Sequence, residues 1–263
     1  LLKEEEKIKD LTGLEHCISL VRLQLNSHQI SDISSLSTLT KLSIVELPFN
    51  KITDINSLSN LSELTKLAVD YNQIQDVSAL SNLINLEELY LHYNQIGDIS
   101  ALEKLTKITK LNLLSNQIRD ISALSKITEC VYLNLHGNRI NDVSVLKNLD
   151  SLTWLDLANN PTKDISVLKH LIKLNYLELF NNQLSDISAL IENTGISGTI
   201  ELQNNPLNNT ALSTHIPELE ARGITVEYDM PEGVVLFKDA NLEKAIRDAL
   251  GIPTELLKKE DLE

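Results

Sequence analysis

The sequence is poor in cysteine, in aromatic residues and in positive charge. Only 2 of its 263 residues are cysteine, too few for a disulfide framework. Its 37 aspartates and glutamates outnumber its 23 lysines and arginines, so the net charge is -14. A charge of this sign repels nucleic acids and anionic membranes. No apolar run reaches the roughly eighteen residues of a membrane helix. These absences predict no nucleic-acid partner and no membrane insertion.

Motifs of catalysis and of cofactor binding are also missing. The sequence contains no Gly-x-Ser-x-Gly, His-Glu-x-x-His, P-loop, Rossmann glycine pattern or Cys-x-x-Cys. We therefore expect a chain that is not an enzyme and that needs no cofactor and no metal.

Leucine, by contrast, is abundant, and it follows an internal repeat. The chain has 50 leucines, and asparagine recurs every 22 residues within the pattern Leu-x-x-Leu-x-Leu-x-x-Asn-x-Ile-x-Asp-Ile. The asparagines of this column are Asn50, Asn72, Asn94, Asn116, Asn138, Asn160 and Asn182, with Asn205 following after 23. His28 takes the same place one period earlier.

Seven apolar positions recur in each period. After Asn72 they are Ile74, Val77, Leu80, Leu83, Leu86, Leu89 and Leu91. The last two alternate as in a short strand, whereas the steps of three predict a tight helical or 3₁₀ return. One such coil cannot bury its apolar face alone, so stacked coils must share a continuous core.

These motifs resemble the leucine-rich repeat proteins, in their 22-residue subclass, and within it the internalin-like proteins of bacterial surfaces. The resemblance covers roughly residues 8–207. It implies an α/β solenoid: a curved right-handed coil with a parallel sheet on its concave face and short helical segments on its convex face. It also implies a secreted or cell-surface location.

The sequence divides into three parts. Residues 1–207 form the repeat array of nine coils and a partial first coil, and residues 208–228 resemble its C-terminal cap. Residues 229–263 predict a helix that begins after Asp239, ends at Gly251 and carries Leu242, Ala245, Ile246, Ala249 and Leu250 on one side. This segment resembles the N-terminal cap of the same family. It either begins a second repeat array or covers the open end of the core.

Two polar columns have structural explanations. The asparagines can bond backbone groups at the turn after each strand. The aspartates that follow, such as Asp98, are expected to cap the helical return rather than to bind calcium. Cys17 and Cys130 both occupy leucine positions, which predicts two buried, unpaired thiols.

Aromatic residues concentrate on the outward strand positions, which lie 6, 4, 2 and 1 residues before each asparagine. Of the ten aromatics in the chain, eight fall there: Phe49, Tyr71, Tyr90, Tyr93, Tyr132, Trp154, Tyr176 and Phe180. Two groups of three repeat at the period of the coils, so their rings are expected to stack between strands about 4.8 Å apart. An exposed aromatic surface of this kind is typical of an interface.

The predicted binding site therefore comprises these eight aromatics together with His92, His136, Asp156 and Glu178. His92 and His136 lie two coils apart, roughly 10 Å, so they are expected to be ordinary surface histidines rather than zinc ligands. The leading interpretation is a monomeric, non-catalytic module that binds a protein, such as a host or cell-surface receptor.

Three alternatives remain open. A glycan ring could stack on the aromatics, or the array could be a rigid spacer. The third alternative is a glycosidase-like pair formed by Asp156 and Glu178. An open sheet argues against it, because such a sheet is expected not to separate the pKa values of the two carboxylates.

Overall fold

The computed structural model describes residues 6–237, 239–252 and 256–263, so residues 1–5 of the expected array lie outside it. The described residues contain ten parallel strands in chain order, β1 to β10. They are Arg22–Gln24, Ile44–Glu46, Lys66–Ala68, Glu88–Tyr90, Lys110–Asn112, Tyr132–Asn134, Trp154–Asp156, Tyr176–Glu178, Thr199–Glu201 and Thr225–Glu227.

From β1 to β8, each strand pairs with the next at the repeat period of 22 residues. Leu89 of β4 stands opposite Leu111 of β5, and Leu133 of β6 opposite Leu155 of β7. These inward leucines are completely buried. A ladder of identical apolar residues fixes the register, because a slip by one residue would move every leucine to the solvent side.

The return path of most coils is a 3₁₀ helix, as the steps of three predict. In the coil after Asn94, Leu102 donates its N–H to Ile99 over 2.9 Å and Leu105 donates to Leu102 over 3.0 Å. The 3₁₀ helices are Leu14–His16, Ser34–Thr38, Asn56–Leu58, Ser78–Leu80, Ser100–Lys104, Ser122–Lys126, Ser144–Asn148, Ser166–His170 and, near the end, Lys259–Asp261. The leucine-rich repeat solenoid is confirmed.

The asparagine column bonds to the backbone, as expected. The side-chain amide of Asn94 donates to the carbonyls of Leu91 in its own coil and Val69 in the previous coil, both at 3.0 Å. Its Oδ1 accepts the N–H of Ile74 at 2.9 Å. Each asparagine thus ties two neighbouring coils together and leaves fewer buried backbone groups unpaired.

The aspartate column serves the start of each 3₁₀ helix. Asp98 Oδ1 accepts the N–H of Ser100 at 2.8 Å, and this backbone bond lowers the pKa of Asp98. The residue at the N-cap position itself is Ile99, so the aspartate acts from one position earlier than predicted.

The two cysteines differ. Cys130 is buried in the core, as predicted, and burial raises the pKa of its thiol to about 12. The prediction for Cys17 is wrong, because this residue is exposed. Cys17 directly follows the helix Leu14–His16 at the end of the sheet, where no further described coil packs over it.

After the repeats, the chain forms a helix, a turn at a glycine and a last strand. A π-helical turn, Ala211–His215, continues into an α-helix at Ile216–Ala221, Gly223 adopts a φ of 84°, and β10 pairs with β9. A short α-helix, Ser188–Glu192, replaces the 3₁₀ helix in the preceding coil. These elements extend the sheet and core beyond the last asparagine of the column.

The final helix, Ala240–Leu250, begins and ends as the sequence predicts. The Asp239 carboxylate accepts the N–H groups of Asn241 and Leu242, and Gly251 has a φ of 70°. Its contact with the array is polar, since Asn209 donates to Glu243, which also receives Arg247.

Leu242 and Leu250 of the predicted apolar stripe are exposed. The longest described helix has 11 residues, and none within the described ranges is long and apolar enough to span a bilayer.

Candidate functional site: an aromatic and acidic concave face

The concave face is formed by the outward side chains of β1 to β9 and of the residues that follow each strand. We divide it into an N-terminal half, β1 to β5, and a C-terminal half, β6 to β9. Backbone pairing places equivalent residues of successive coils side by side. The face is therefore a set of parallel columns, one residue per coil.

The first aromatic column, Phe49, Tyr71 and Tyr93, forms a continuous stack. Ring centroids are 4.0 Å apart between Phe49 and Tyr71 and 4.3 Å apart between Tyr71 and Tyr93, with interplanar angles of 14° and 21°. All three side chains are exposed. The three residues have φ values of 56°, 51° and 52°, in the left-handed region that side chains other than glycine, asparagine and aspartate rarely adopt.

A second stack lies on the strands of the C-terminal half. The ring centroid of Trp154 lies 4.3 Å from that of Tyr132 and 5.6 Å from that of Tyr176, with interplanar angles of 12° and 9°. These three rings are partly buried. Both stacks expected from the sequence are present.

The two remaining aromatics lie between these columns. Lys66 Nζ stands 5.6 Å from the ring centroid of Tyr90, and the hydroxyl of Tyr90 donates to Glu88 over 3.3 Å. Phe180 meets the imidazole of His136 edge to face at 5.5 Å. All eight predicted aromatics therefore lie on one surface.

Charges in the N-terminal half alternate in sign. Lys66 lies 2.7 Å from Glu46 and 3.5 Å from Glu88, and Lys110 lies 2.9 Å from Glu88. The hydrogen bond to Glu46 raises the pKa of Lys66, and the bond from Lys110 lowers the pKa of Glu88. Each carboxylate of this row has a lysine beside it.

The C-terminal half carries carboxylates without such partners. Asp156, Glu178 and Glu201 stand opposite one another on β7, β8 and β9. Within the described ranges, no lysine or arginine forms an ion pair with any of them. Tyr176 instead donates its hydroxyl to Glu201 over 2.8 Å.

The surroundings of Glu178 in this row disfavour its charged form. Burial and the neighbouring Asp156 raise the pKa of Glu178 to about 7. The expectation that an open sheet would leave carboxylate pKa values unperturbed is therefore wrong for Glu178. The sequence placed the carboxylates in one column, but the partial burial of Glu178 depends on side-chain packing.

The two histidines differ from the surface residues that the sequence predicts. His92 Nε2 lies 3.3 Å from Asp70, and His136 Nδ1 lies 3.3 Å from Asp156. Both imidazoles are partly buried. Asp70 and His92 are 22 residues apart and occupy equivalent positions, so the period alone could have predicted their contact. His136 and Asp156 belong to different columns, a diagonal contact that the period does not predict.

Comparisons with known proteins agree with this architecture. A family model described as leucine-rich repeats in two copies matches residues 84–126 and 150–192. A search of curated protein sequences finds no match.

Solved structures give closer relatives. The chain is 33% identical to internalin C2 of Listeria monocytogenes, with a TM-score of 0.68, covering 71% of this chain and 83% of internalin C2. A leucine-rich repeat protein of Leptospira interrogans is 26% identical with a TM-score of 0.76, covering 84% of this chain and 57% of that protein.

The plant membrane receptor kinase GASSHO1/SCHENGEN3 from Arabidopsis thaliana is a third relative. Its leucine-rich repeat ectodomain, in complex with CASPARIAN STRIP INTEGRITY FACTOR 2, is 26% identical with a TM-score of 0.67, covering 75% of this chain and 26% of that one. The repeat period, the ten-stranded sheet and the match to internalin C2 together show that this chain belongs to the internalin family of leucine-rich repeat proteins.

Proposed function

We propose that this chain is a recognition module that binds a protein partner on its concave face and acts as a monomer at a cell surface or after secretion. The observation that carries the proposal is the pair of stacked aromatic columns on this one face. Tyrosine and tryptophan are enriched at binding hot spots, because they offer large rigid contact areas at low entropic cost.

The backbone of the first stack supports a role in binding. The residues at the same position in other coils are Ser27, Ser115, Gly137, Asn159, Asn181 and Asn204, mostly small or suited to positive φ. An aromatic residue in this conformation costs on the order of 1 kcal/mol. Three consecutive coils carry this cost, although asparagine or glycine would remove it.

The core gives further support, since it does not use aromatics for its own stability. In the described repeats no aromatic side chain is buried, and the buried apolar residues are mostly leucine, isoleucine and valine. Rings that served only to stabilise the protein would be expected inside this core. Their presence on the surface fits a patch that becomes covered by a partner.

The dimensions and charge of the face indicate the kind of partner. Strands spaced about 4.8 Å apart give a surface long enough for a standard interface of roughly 800 Å² per protein. The uncompensated carboxylates of the C-terminal half favour a partner with basic residues opposite β7 to β9. The relation to an internalin and to a receptor ectodomain crystallised in complex with CASPARIAN STRIP INTEGRITY FACTOR 2 is consistent with this role.

The test compares the wild-type chain with the triple variant Tyr132→Ala, Trp154→Ala, Tyr176→Ala. Each protein is immobilised and exposed to a cell-surface protein fraction, and the retained proteins are identified and remeasured in purified form by interferometry. We expect at least one purified partner to bind the wild type and to lose more than about tenfold in affinity with the variant.

A matched control removes exposed apolar side chains from elsewhere on the array. The double variant Ile84→Ala, Ile172→Ala does so, because both isoleucines are exposed and lie outside the strands. It should bind like the wild type, and circular dichroism should show all three proteins folded. Equal binding by the wild type and a folded triple variant would contradict the proposal.

A glycan is the second candidate ligand. The Trp154 ring lies beside a row of carboxylates, and sugars are commonly held by an aromatic plane together with acceptors for their hydroxyl groups. A glycan array separates the two candidates, since a protein-binding face should give no saturable glycan signal. A rigid spacer would show neither kind of binding.

We propose no catalytic role for the face. The raised pKa of Glu178 beside Asp156 is the arrangement that a glycosidase uses, but the open sheet does not exclude water from the two groups. We expect no hydrolysis of chromogenic glycosides by the wild type. Activity that disappears in Glu178→Gln would overturn this expectation.

A further inference from the structure

The C-terminal half of the concave face brings together three groups that commonly bind metals. His136, Asp156 and Glu178 lie on three consecutive coils, and each offers a ligand atom within 4.8 Å of the other two. We propose that these three side chains form a binding site for one divalent ion of the zinc class. The inference does not depend on the proposed protein partner.

The distances suit such an ion after a small adjustment. His136 Nδ1 and Asp156 Oδ2 are 3.3 Å apart. Two ligands bound to zinc at about 2.0 to 2.1 Å in tetrahedral geometry are separated by about 3.3 Å. Since the three ligand atoms lie within 4.8 Å of one another, the Glu178 carboxylate must approach by up to about 1.5 Å, which rotation of its flexible side chain allows.

Hydrogen bonds already hold the first two ligands in place. Asp156 Oδ1 accepts the N–H of Ala158 at 2.9 Å, which directs Oδ2 toward His136. The side-chain amide nitrogen of Asn159 lies 2.9 Å from His136 Nε2, and Asn181 donates to Asn159. Metal-binding histidines are typically oriented by a partner on their second nitrogen.

Metal binding requires the neutral imidazole and changes its tautomer but not its charge. The ion needs the lone pair of Nδ1, so the ring proton moves to Nε2. There the amide oxygen of Asn159 can accept it once the amide groups of both Asn159 and Asn181 have rotated, which keeps both hydrogen bonds of this chain with donor and acceptor exchanged. No proton has to leave a neutral imidazole.

The local charge also favours a cation. In the N-terminal half, Lys66 and Lys110 lie between the carboxylates, but no described lysine or arginine pairs with Asp156 or Glu178. Asp156 is only 4% exposed, so its charge is poorly solvated. A divalent ion would supply the positive charge that this row lacks.

The ligand set indicates which ion would bind. One imidazole nitrogen and two carboxylate oxygens suit zinc and its analogues, whereas calcium takes six to eight oxygen ligands. The fourth position would face the open side of the sheet. A water molecule or a side chain of a partner would occupy it.

The chain contains its own control in His92 and Asp70. This pair has the same 3.3 Å separation as His136 and Asp156. The positions around His92 that correspond to Asp156 and Glu178 hold Asn112 and Asn134, and within the described ranges no third metal-binding side chain lies close enough to His92 and Asp70 to complete a site. A histidine beside one carboxylate is not expected to hold zinc by itself.

The experiment titrates zinc chloride into metal-free protein by calorimetry, and cobalt chloride by visible absorption. We expect one saturable site in the wild type and in His92→Ala. His136→Ala, Asp156→Asn and Glu178→Gln should each weaken binding by at least about tenfold. Cobalt bound to four ligands should show the absorption bands of a tetrahedral complex, which a loosely bound ion lacks.

The outcomes separate this inference from the proposed function. Absence of saturable binding, or equal binding by the wild type and folded Glu178→Gln, would overturn the metal site. Glu178→Gln is the decisive variant, because a nearly isosteric amide at a partly exposed position should not prevent folding. The triple aromatic variant should lose the protein partner and keep the zinc.

Discussion

The two halves of the concave face share one scaffold and differ in the chemistry of their side chains. In the N-terminal half, Lys66 and Lys110 separate the carboxylates, and the aromatic stack lies at the ends of the strands. In the C-terminal half, carboxylates follow one another without lysine, and the stack lies on the strands themselves. The constant core allows each outward column to vary independently.

The two histidine and aspartate pairs show the effect of these surroundings. Burial lowers the pKa of His92, whose Nδ1 is buried and has no hydrogen-bond partner in the described structure. The hydrogen bond to Asp156 raises the pKa of His136, and the charge of Glu178 acts in the same direction. Equal distances of 3.3 Å thus accompany opposite pKa shifts. At His92 desolvation outweighs the charge of Asp70, whereas at His136 the hydrogen bond to Asp156 outweighs desolvation.

Removing one asparagine of the column from each half tests whether the backbone framework is equally stable in both halves. Asn72→Ala and Asn182→Ala each remove an amide that bonds three carbonyls and one backbone N–H. We expect each to lower the free energy of unfolding by about 3 kcal/mol, because buried backbone groups lose their partners. Urea denaturation measures this. A difference of more than about 1 kcal/mol between the two would show that the halves differ in their framework.

The two stacks should respond differently to removal of their central ring. Trp154→Ala removes two ring contacts and a partly buried side chain, so we expect a loss of about 2 kcal/mol in stability. Tyr71→Asn also removes two contacts, but it relieves an unfavourable positive φ. Its cost should stay below about 1 kcal/mol. Equal costs in thermal denaturation would contradict the strain assigned to the first stack.

Glu178→Gln should stabilise the protein at neutral and alkaline pH. The folded-state pKa of about 7 exceeds the ordinary 4.5, so ionisation of Glu178 makes stability fall as pH rises between these values. With a chelator present, the variant should be more stable than the wild type by about 1 kcal/mol at pH 8, after allowance for solvent screening. The advantage should disappear near pH 4.

Glu88→Gln is the matched control from the other half. The pKa of Glu88 is lowered, first by its hydrogen bond from Lys110, so its ionised form stabilises the folded state above the ordinary pKa. This variant should be slightly less stable than the wild type at pH 8, by about 0.5 kcal/mol or less. If Glu178→Gln and Glu88→Gln changed the stability at pH 8 in the same direction, the contrast between the halves would be refuted.

The smallest effect is the order in which the two histidines titrate. In metal-free protein, NMR should show His136 titrating above, and His92 below, the ordinary histidine pKa of 6.5. His92→Ala and His136→Ala assign the signals. In Glu178→Gln the pKa of His136 should decrease, because one nearby negative charge is lost, and that of His92 should not change. A single common midpoint would contradict the different surroundings of the pairs.

Several features of the site were accessible from the sequence, and several were not. The 22-residue period places Phe49, Tyr71 and Tyr93 in one column, which suffices to predict a stack. It does not predict the diagonal contact between His136 and Asp156, which depends on rotamers. The exposed Cys17 follows from its place at the end of the stack, whereas periodicity treats every coil as an interior one.

The solenoid, the register of its sheet and the residues that face outward could all be predicted from the amino-acid sequence. A repeat of 22 residues with seven apolar positions has one economical way to bury them, which is to stack identical coils. The raised pKa of Glu178, the pairing of the histidines with aspartates and the cluster at His136 became apparent in the three-dimensional structure alone. These depend on desolvation and on distances of a few ångströms between side chains of different coils, which a linear pattern does not contain.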